Sequence, residues 1–150
     1  MENDEREKAL IASIVKVFPD PGFPHSNSVT PCRCSECEEI TAYFRDSFWR
    51  GRSVEDLRYH EAALSLFENE AFDYFLPAFL VAAVEDPEAA DVILDGIPFH
   101  LDRAREVRNY TPVQRQVVGE FMRWMLDEFG DYDGKYSRLV EKFSRPPHAG

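Results

Sequence analysis

Outside one short stretch this chain has no cysteine. Its three thiols all lie in Cys32-Arg-Cys34-Ser-Glu-Cys37, and an odd number of such closely spaced cysteines argues for reduced cytoplasmic thiols rather than a disulfide scaffold. Long apolar runs are missing too: the longest, Phe75 to Val84, is interrupted by Pro77 and too short to span a membrane. The opening segment Met1 to Lys8 has no apolar stretch behind a basic start, which predicts no signal peptide. Alternating runs of β-branched residues are absent, which argues against a sheet. Basic residues are few: 17 Lys and Arg against 28 Asp and Glu leave a formal charge of −11. With no basic stripe to offset that charge, nucleic acid and anionic membranes are poor partners. The chain also lacks G-x-x-x-x-G-K-[ST], G-x-S-x-G, H-E-x-x-H and G-x-G-x-x-G, so the nucleotide-binding, hydrolase and metalloprotease chemistries of those motifs have no support.

What is present is material for a core. Apolar residues make up 44% and aromatics 13%, with twelve Phe. A chain of 150 residues predicts one domain that buries roughly two-thirds of its unfolded surface. We read residues 1–150 as a single helical domain with loosely held ends near 1–4 and 145–150. The fold class is all-α, five to seven helices, with a Pro-rich loop between the first and second.

Helical spacing of Leu10, Ile11, Ile14, Val15 and Phe18 marks the first helix, which Pro19, Pro21, Pro24 and Pro31 keep from continuing. Ser35-Glu-Cys37-Glu38 reads as a capping box, and its helix carries Cys37, Ile40, Phe44 and Phe48 on one face up to Gly51. Ser53 caps a helix carrying Val54, Leu57, His60, Leu64 and Phe67. Asn69 caps another, running to Glu85, which Pro77 must kink or divide. Asp86-Pro87 restarts a short helix, and Asp95-Gly96 turns the chain. Residues 97–110 are ambiguous, with Leu101 to Val107 compatible with one or two helical turns. Thr111-Pro112-Val-Gln114 is a strong start, with Gly130 as its stop. A last helix runs from about Lys135 to Ser144.

The residues with chemical meaning are the thiols. Cys34-x-x-Cys37 has the bite of a zinc knuckle, with the second thiol at a helix start, where the dipole and free amides favour a thiolate. Cys32 would supply a third ligand, and His60, on the apolar face of its helix, a fourth; His25 in the adjoining loop is a further candidate. A thioredoxin-type role would need a βαβ pattern, which is absent. Other groups weaken on inspection. Asp131-Tyr-Asp133-Gly134 starts like a calcium loop, but its Gly comes two positions early and no Glu stands at the twelfth, which leaves a turn. Glu36, Glu38 and Glu39 could do acid–base work, yet a first helical turn favours acids through its dipole alone. Trp49-Arg50-Gly51-Arg52 is a compact turn that could grip an anion.

Taken as a set, Cys34-Ser-Glu-Cys37, Trp49, Ala71-Phe72-Asp-Tyr74-Phe-Leu76-Pro77-Ala78-Phe79 and Thr111-Pro112-Val-Gln114 resemble an uncharacterised family of small bacterial proteins, a domain of unknown function. The similarity runs from about Val17 to Leu126. It implies a soluble bacterial single-domain protein and no known reaction; Cys32 lies outside the family's pattern.

Three function classes follow. One is a non-enzymatic acidic protein of the immunity or antitoxin type that binds a basic toxin, with charge matching speeding association. Another is a domain whose structural zinc, held by Cys32, Cys34, Cys37 and His60, fastens the Pro-rich loop. The third is an enzyme, for which no base–nucleophile spacing stands out. Of these we favour the first; the oligomeric state has no signature in the chain.

Overall fold

In a computed structural model, which describes residues 2–24, 27–102, 110–131 and 133–144, the chain is all-α. The described residues contain nine helices and no strand. Two of them, α4 (Ala63–Leu66) and α6 (Pro87–Ala90), are single turns, so seven longer helices carry the fold. The others are α1 (Glu2–Val17), α2 (Ser35–Phe44), α3 (Val54–Tyr59), α5 (Asn69–Glu85), α7 (Val92–Asp102), α8 (Pro112–Phe129) and α9 (Lys135–Ser144). No described helix is long and apolar enough to cross a membrane.

The chain packs as two compact units, one formed by residues 1–18 with 98–150 and the other by residues 19–97. In the first, α1 contributes Leu10 and Ile14, α8 contributes Val118, Phe121, Met122, Trp124 and Met125, and α9 contributes Leu139 and Phe143, all buried. The start of α8 is fixed by a full capping box. The Thr111 hydroxyl accepts from the Gln114 amide while the Gln114 side chain accepts from the Thr111 amide. The same Gln114 side chain donates to the Val17 carbonyl at 3.0 Å, tying α8 to the end of α1. Gly119 lets α8 and α9 approach closely, since a Cβ there would stand 3.4 Å from the Cβ of Phe143.

The second unit is built around α5, whose Phe72, Phe75, Leu76, Phe79 and Leu80 are fully buried. Phe44 of α2 meets Phe75 at 4.8 Å between ring centres and Phe67 at 5.0 Å. Each such ring stabilises the unit by about 1.5–3 kcal/mol through burial alone. Pro77 neither ends nor divides α5, which runs unbroken through it. Its missing N–H costs one intrahelical bond, and the apolar packing of eleven buried residues along α5 outweighs that loss.

Several local expectations are corrected. α2 ends at Phe44, not near Gly51: Arg45 is extended and Asp46 takes φ of 53°, so Phe48 is 55% exposed instead of sharing the buried face. The run from Val54 to Phe67 is two helices, because the chain leaves α-helix at His60. Asp95-Gly96 makes no turn and lies inside α7. The 97–110 stretch is helical through Asp102; the rest of the Leu101–Val107 segment lies outside the described residues.

Candidate functional site

The three cysteines come together by a loop and a helix start that are separately anchored. Val29 is buried, and its carbonyl accepts from the Glu68 amide at 2.8 Å. The Thr30 and Thr41 hydroxyls are hydrogen-bonded at 3.0 Å, fastening the loop to the middle of α2. Pro31 and Cys32, which follow, are exposed. The N-cap of α2 is Cys34 rather than Ser35: the Cys34 sulfur accepts from the Cys37 amide at 3.4 Å, and its carbonyl accepts from Glu38. Cys37 lies on the core face of α2 with Ile40 and Phe44, as its helical spacing predicts, and is fully buried.

Cys32 and Cys37 are joined by a disulfide, their Cα atoms 6.0 Å apart, a separation typical of such bridges. This corrects the expectation of three reduced thiols. Cys34 remains free and exposed, its sulfur 3.3 Å from that of Cys32. All three sulfurs lie within 4.8 Å of one another, and among the described residues no other His, Cys, Asp or Glu group is close enough to share an ion. His60 is therefore not brought to the cysteines. It sits at the C-terminal end of α3 with its ring stacked on Tyr43 at 4.4 Å, and lines a small hollow with Glu36, Glu39 and Tyr59. Ring stacking and partial exposure meet the needs that made it a candidate ligand. His25 and His148 lie outside the described residues, and His100 is in α7 against Phe99.

Two chemistries are open to such a cluster. A thiol beside a disulfide can exchange with it, because the attacking thiolate, the bond under attack and the leaving sulfur are already assembled. Opened by a reductant, the cluster offers three soft donors, one short of a closed structural zinc site.

Beside it runs a polar groove of about 490 Å³, lined by Asn27, Thr30, Cys32, Arg33, Glu38 and Arg45 among others. Of the three cysteines, Cys32 alone lines it. Sequence reasoning passed over Arg33 and Arg45, since an isolated arginine in an acidic chain reads as solvated surface. Their only available signal is that Arg33 separates two of the cysteines.

The other candidates resolve into structure. Arg50 lies over the Trp49 ring at 5.2 Å and Arg52 over Tyr43 at 4.6 Å, with Arg52 also donating to the Phe48 carbonyl, so this turn is held by ring faces. Asp20, which the sequence did not single out, accepts from the amides of Trp49 and Arg50 at 3.0 and 3.1 Å and from the Tyr74 hydroxyl. That hydroxyl in turn accepts from the Gly22 amide at 3.0 Å. Burial, and then the Asp20 carboxylate, push the Tyr74 phenol well above its ordinary 10.0. The Asp131 stretch is the turn expected of it: its carboxylate accepts from the amides of Tyr136 and Ser137 at the start of α9. Glu36, Glu38 and Glu39 are exposed.

Compared with known proteins, the chain stands apart: no family model, no curated protein and no solved structure matches it.

Proposed function

We propose that this protein is a thiol–disulfide switch centred on Cys32, Cys34 and Cys37. The observation that supports it best is the free Cys34 sulfur 3.3 Å from the Cys32 end of the Cys32–Cys37 bridge. Attack of the Cys34 thiolate on the Cys32 sulfur forms a Cys32–Cys34 bond, breaks Cys32–Cys37 and releases Cys37 as the thiolate. No electrons enter or leave, and the proton given up by Cys34 is available to Cys37. A dithiol reductant takes the same sulfurs to three thiols and is itself oxidised to a disulfide. Since Cys37 is on the buried face of α2 and Cys32 on a surface loop, the oxidation state is coupled to how firmly that loop is held to the helix. Such turnover suits the cytoplasm, where thiol pools keep bridges reversible.

Alkylation before and after reduction, read by peptide mass spectrometry, tests this. One labelled thiol, Cys34, is expected in the oxidised protein and three in the reduced protein. In Cys34→Ser the bridge should persist but exchange more slowly with a dithiol, while helix content is unchanged because serine is itself a good N-cap. Three freely labelled thiols in the presence of excess low-molecular-weight disulfide would overturn the proposal.

A second role is supported by the sulfur spacing of under 4.8 Å: the reduced cluster holds one soft metal ion, zinc in the simplest case, completed by a ligand from outside the three cysteines. Elemental analysis of reduced, metal-exposed protein checks it, one retained equivalent supporting the role and none removing it. The charge of −11 further supports a basic protein, such as the toxin bound by an immunity or antitoxin protein, as the partner that reads the switch. That complex should weaken steeply with added salt.

A further inference from the structure

Resting on the thiol-switch reading above, we infer that the groove beside Cys32 is the docking site for a small thiol or disulfide carrying carboxylates and an ammonium group, of the amino-acid or short-peptide kind. Access and position together decide which sulfur such a molecule meets. Cys37 is fully buried and Cys34, though exposed, is not part of the groove's lining, whereas Cys32 is exposed and lines it. A volume of about 490 Å³ falls within the usual range of small-molecule sites, roughly 300–1,000 Å³.

The charges of the groove select the ligand class. Arg33 and Arg45 are both exposed on its wall, and among the described residues Arg45 forms one ion pair, a loose one with Asp46 at 3.9 Å. Each can take a carboxylate. Glu38, on the same wall, offers a place for an ammonium group. Asn27, Ser28, Thr30 and Thr41 add uncharged polar atoms, although the Asn27 amide already donates to Glu70 at 2.6 Å. In a chain of charge −11, two arginines beside one reactive sulfur create a local exception to the general repulsion of anions.

The chemistry balances without any further reactant. With the protein reduced, the Cys32 thiolate attacks one sulfur of the small disulfide. A mixed disulfide forms on Cys32 and one small thiolate leaves. The Cys37 thiolate then attacks the Cys32 sulfur, closes the Cys32–Cys37 bridge and expels the second small thiolate. Two electrons pass from the protein thiols to the small disulfide, which becomes two thiols; the reverse sequence reduces the protein.

The test compares oxidation of the reduced protein by glutathione disulfide, which carries the predicted charges, with oxidation by hydroxyethyl disulfide, which is neutral. Arg33→Ala with Arg45→Ala should slow the glutathione reaction about tenfold, the combined effect of two exposed ion pairs, and change the hydroxyethyl reaction by less than about twofold. Both arginines are surface residues, so these variants are not expected to disturb folding, and circular dichroism verifies it. In Cys34→Ser with Cys37→Ala the adduct should accumulate on Cys32. If the bridge forms equally fast with both reagents and the arginine variants are indifferent, the groove assignment fails while the switch stands. If no reagent forms the bridge, the switch itself fails.

Discussion

Opening the Cys32–Cys37 bridge should cost this protein about 2 kcal/mol of stability, and little more. The two cysteines are five positions apart. In the chain-entropy description of a disulfide, closing so short a loop restricts the unfolded chain by about 2 kcal/mol, against about 3 for a fifteen-residue loop. Packing adds little to the loss: Cys37 as a thiol keeps its buried place beside Ile40 and Phe44, and Cys32 is exposed in either state. For a chain of this size that loss lowers the midpoint of thermal unfolding by about 4–8 °C, and about 2 kcal/mol is well short of the roughly 5–15 kcal/mol that typically holds a native protein together. Urea unfolding followed by far-ultraviolet circular dichroism, on oxidised and phosphine-reduced protein with a chelator present, measures it directly. The slope against urea should be unchanged, since the unfolded surface is nearly the same. A reduced protein that is unfolded would make the bridge a structural staple and not a switch. Identical curves, with three titrating thiols in both samples, would mean that no bridge exists in solution.

Two further outcomes concern the polar contacts that hold the loops. Asp20→Ala removes the acceptor for the Trp49 and Arg50 amides and the Tyr74 hydroxyl and should destabilise the protein by about 2–4 kcal/mol in urea unfolding, whereas a loss under about 0.5 kcal/mol, usual for a surface change, would refute the role given to that knot. Because Tyr74 ionises later in the folded state than its ordinary 10.0, the stability linked to it is complete below pH 10 and is lost as pH rises above that value; an ultraviolet titration should show Tyr74 among the late tyrosines with Tyr43 and Tyr59, and the Asp20→Ala variant should bring it closer to 10.0. The Asp131 carboxyl is held below its ordinary 3.8, chiefly by the Ser137 hydroxyl and then by the amides of Tyr136 and Ser137, so its contribution is present above pH 3.8 and disappears as pH falls through the lowered value. Asp131→Asn should therefore flatten the acid limb of stability below that pH, and an unchanged limb would count against this cap.

What the sequence made legible is what is decided within one helical turn. Thr111 and Gln114 cap α8 by contacts three residues apart, Ser53 and Asp86 cap their helices in the same way, and α9 has the limits its apolar spacing predicts. Where the deciding contact is distant in the chain, local pattern misleads. Phe48 continues the spacing of Ile40 and Phe44, yet Asp20 holds the neighbouring Trp49 and Arg50 amides from across the unit's Pro-rich loop, and the chain follows those bonds out of the helix. The helical spacing that puts His60 on an apolar face does not survive the break after α3. The sulfur cluster combines both kinds of information. Its existence follows from three cysteines in six positions, but its pairing does not. Spacing to Ile40 and Phe44 turns Cys37 inward and is legible locally, but the Val29 and Thr30 anchors, which are not, set where Cys32 leaves the surface. A bridge chosen by those anchors is one that changes in the loop can undo. That is the property a switch requires, and it is why the groove those same residues line is the place to look for what throws it.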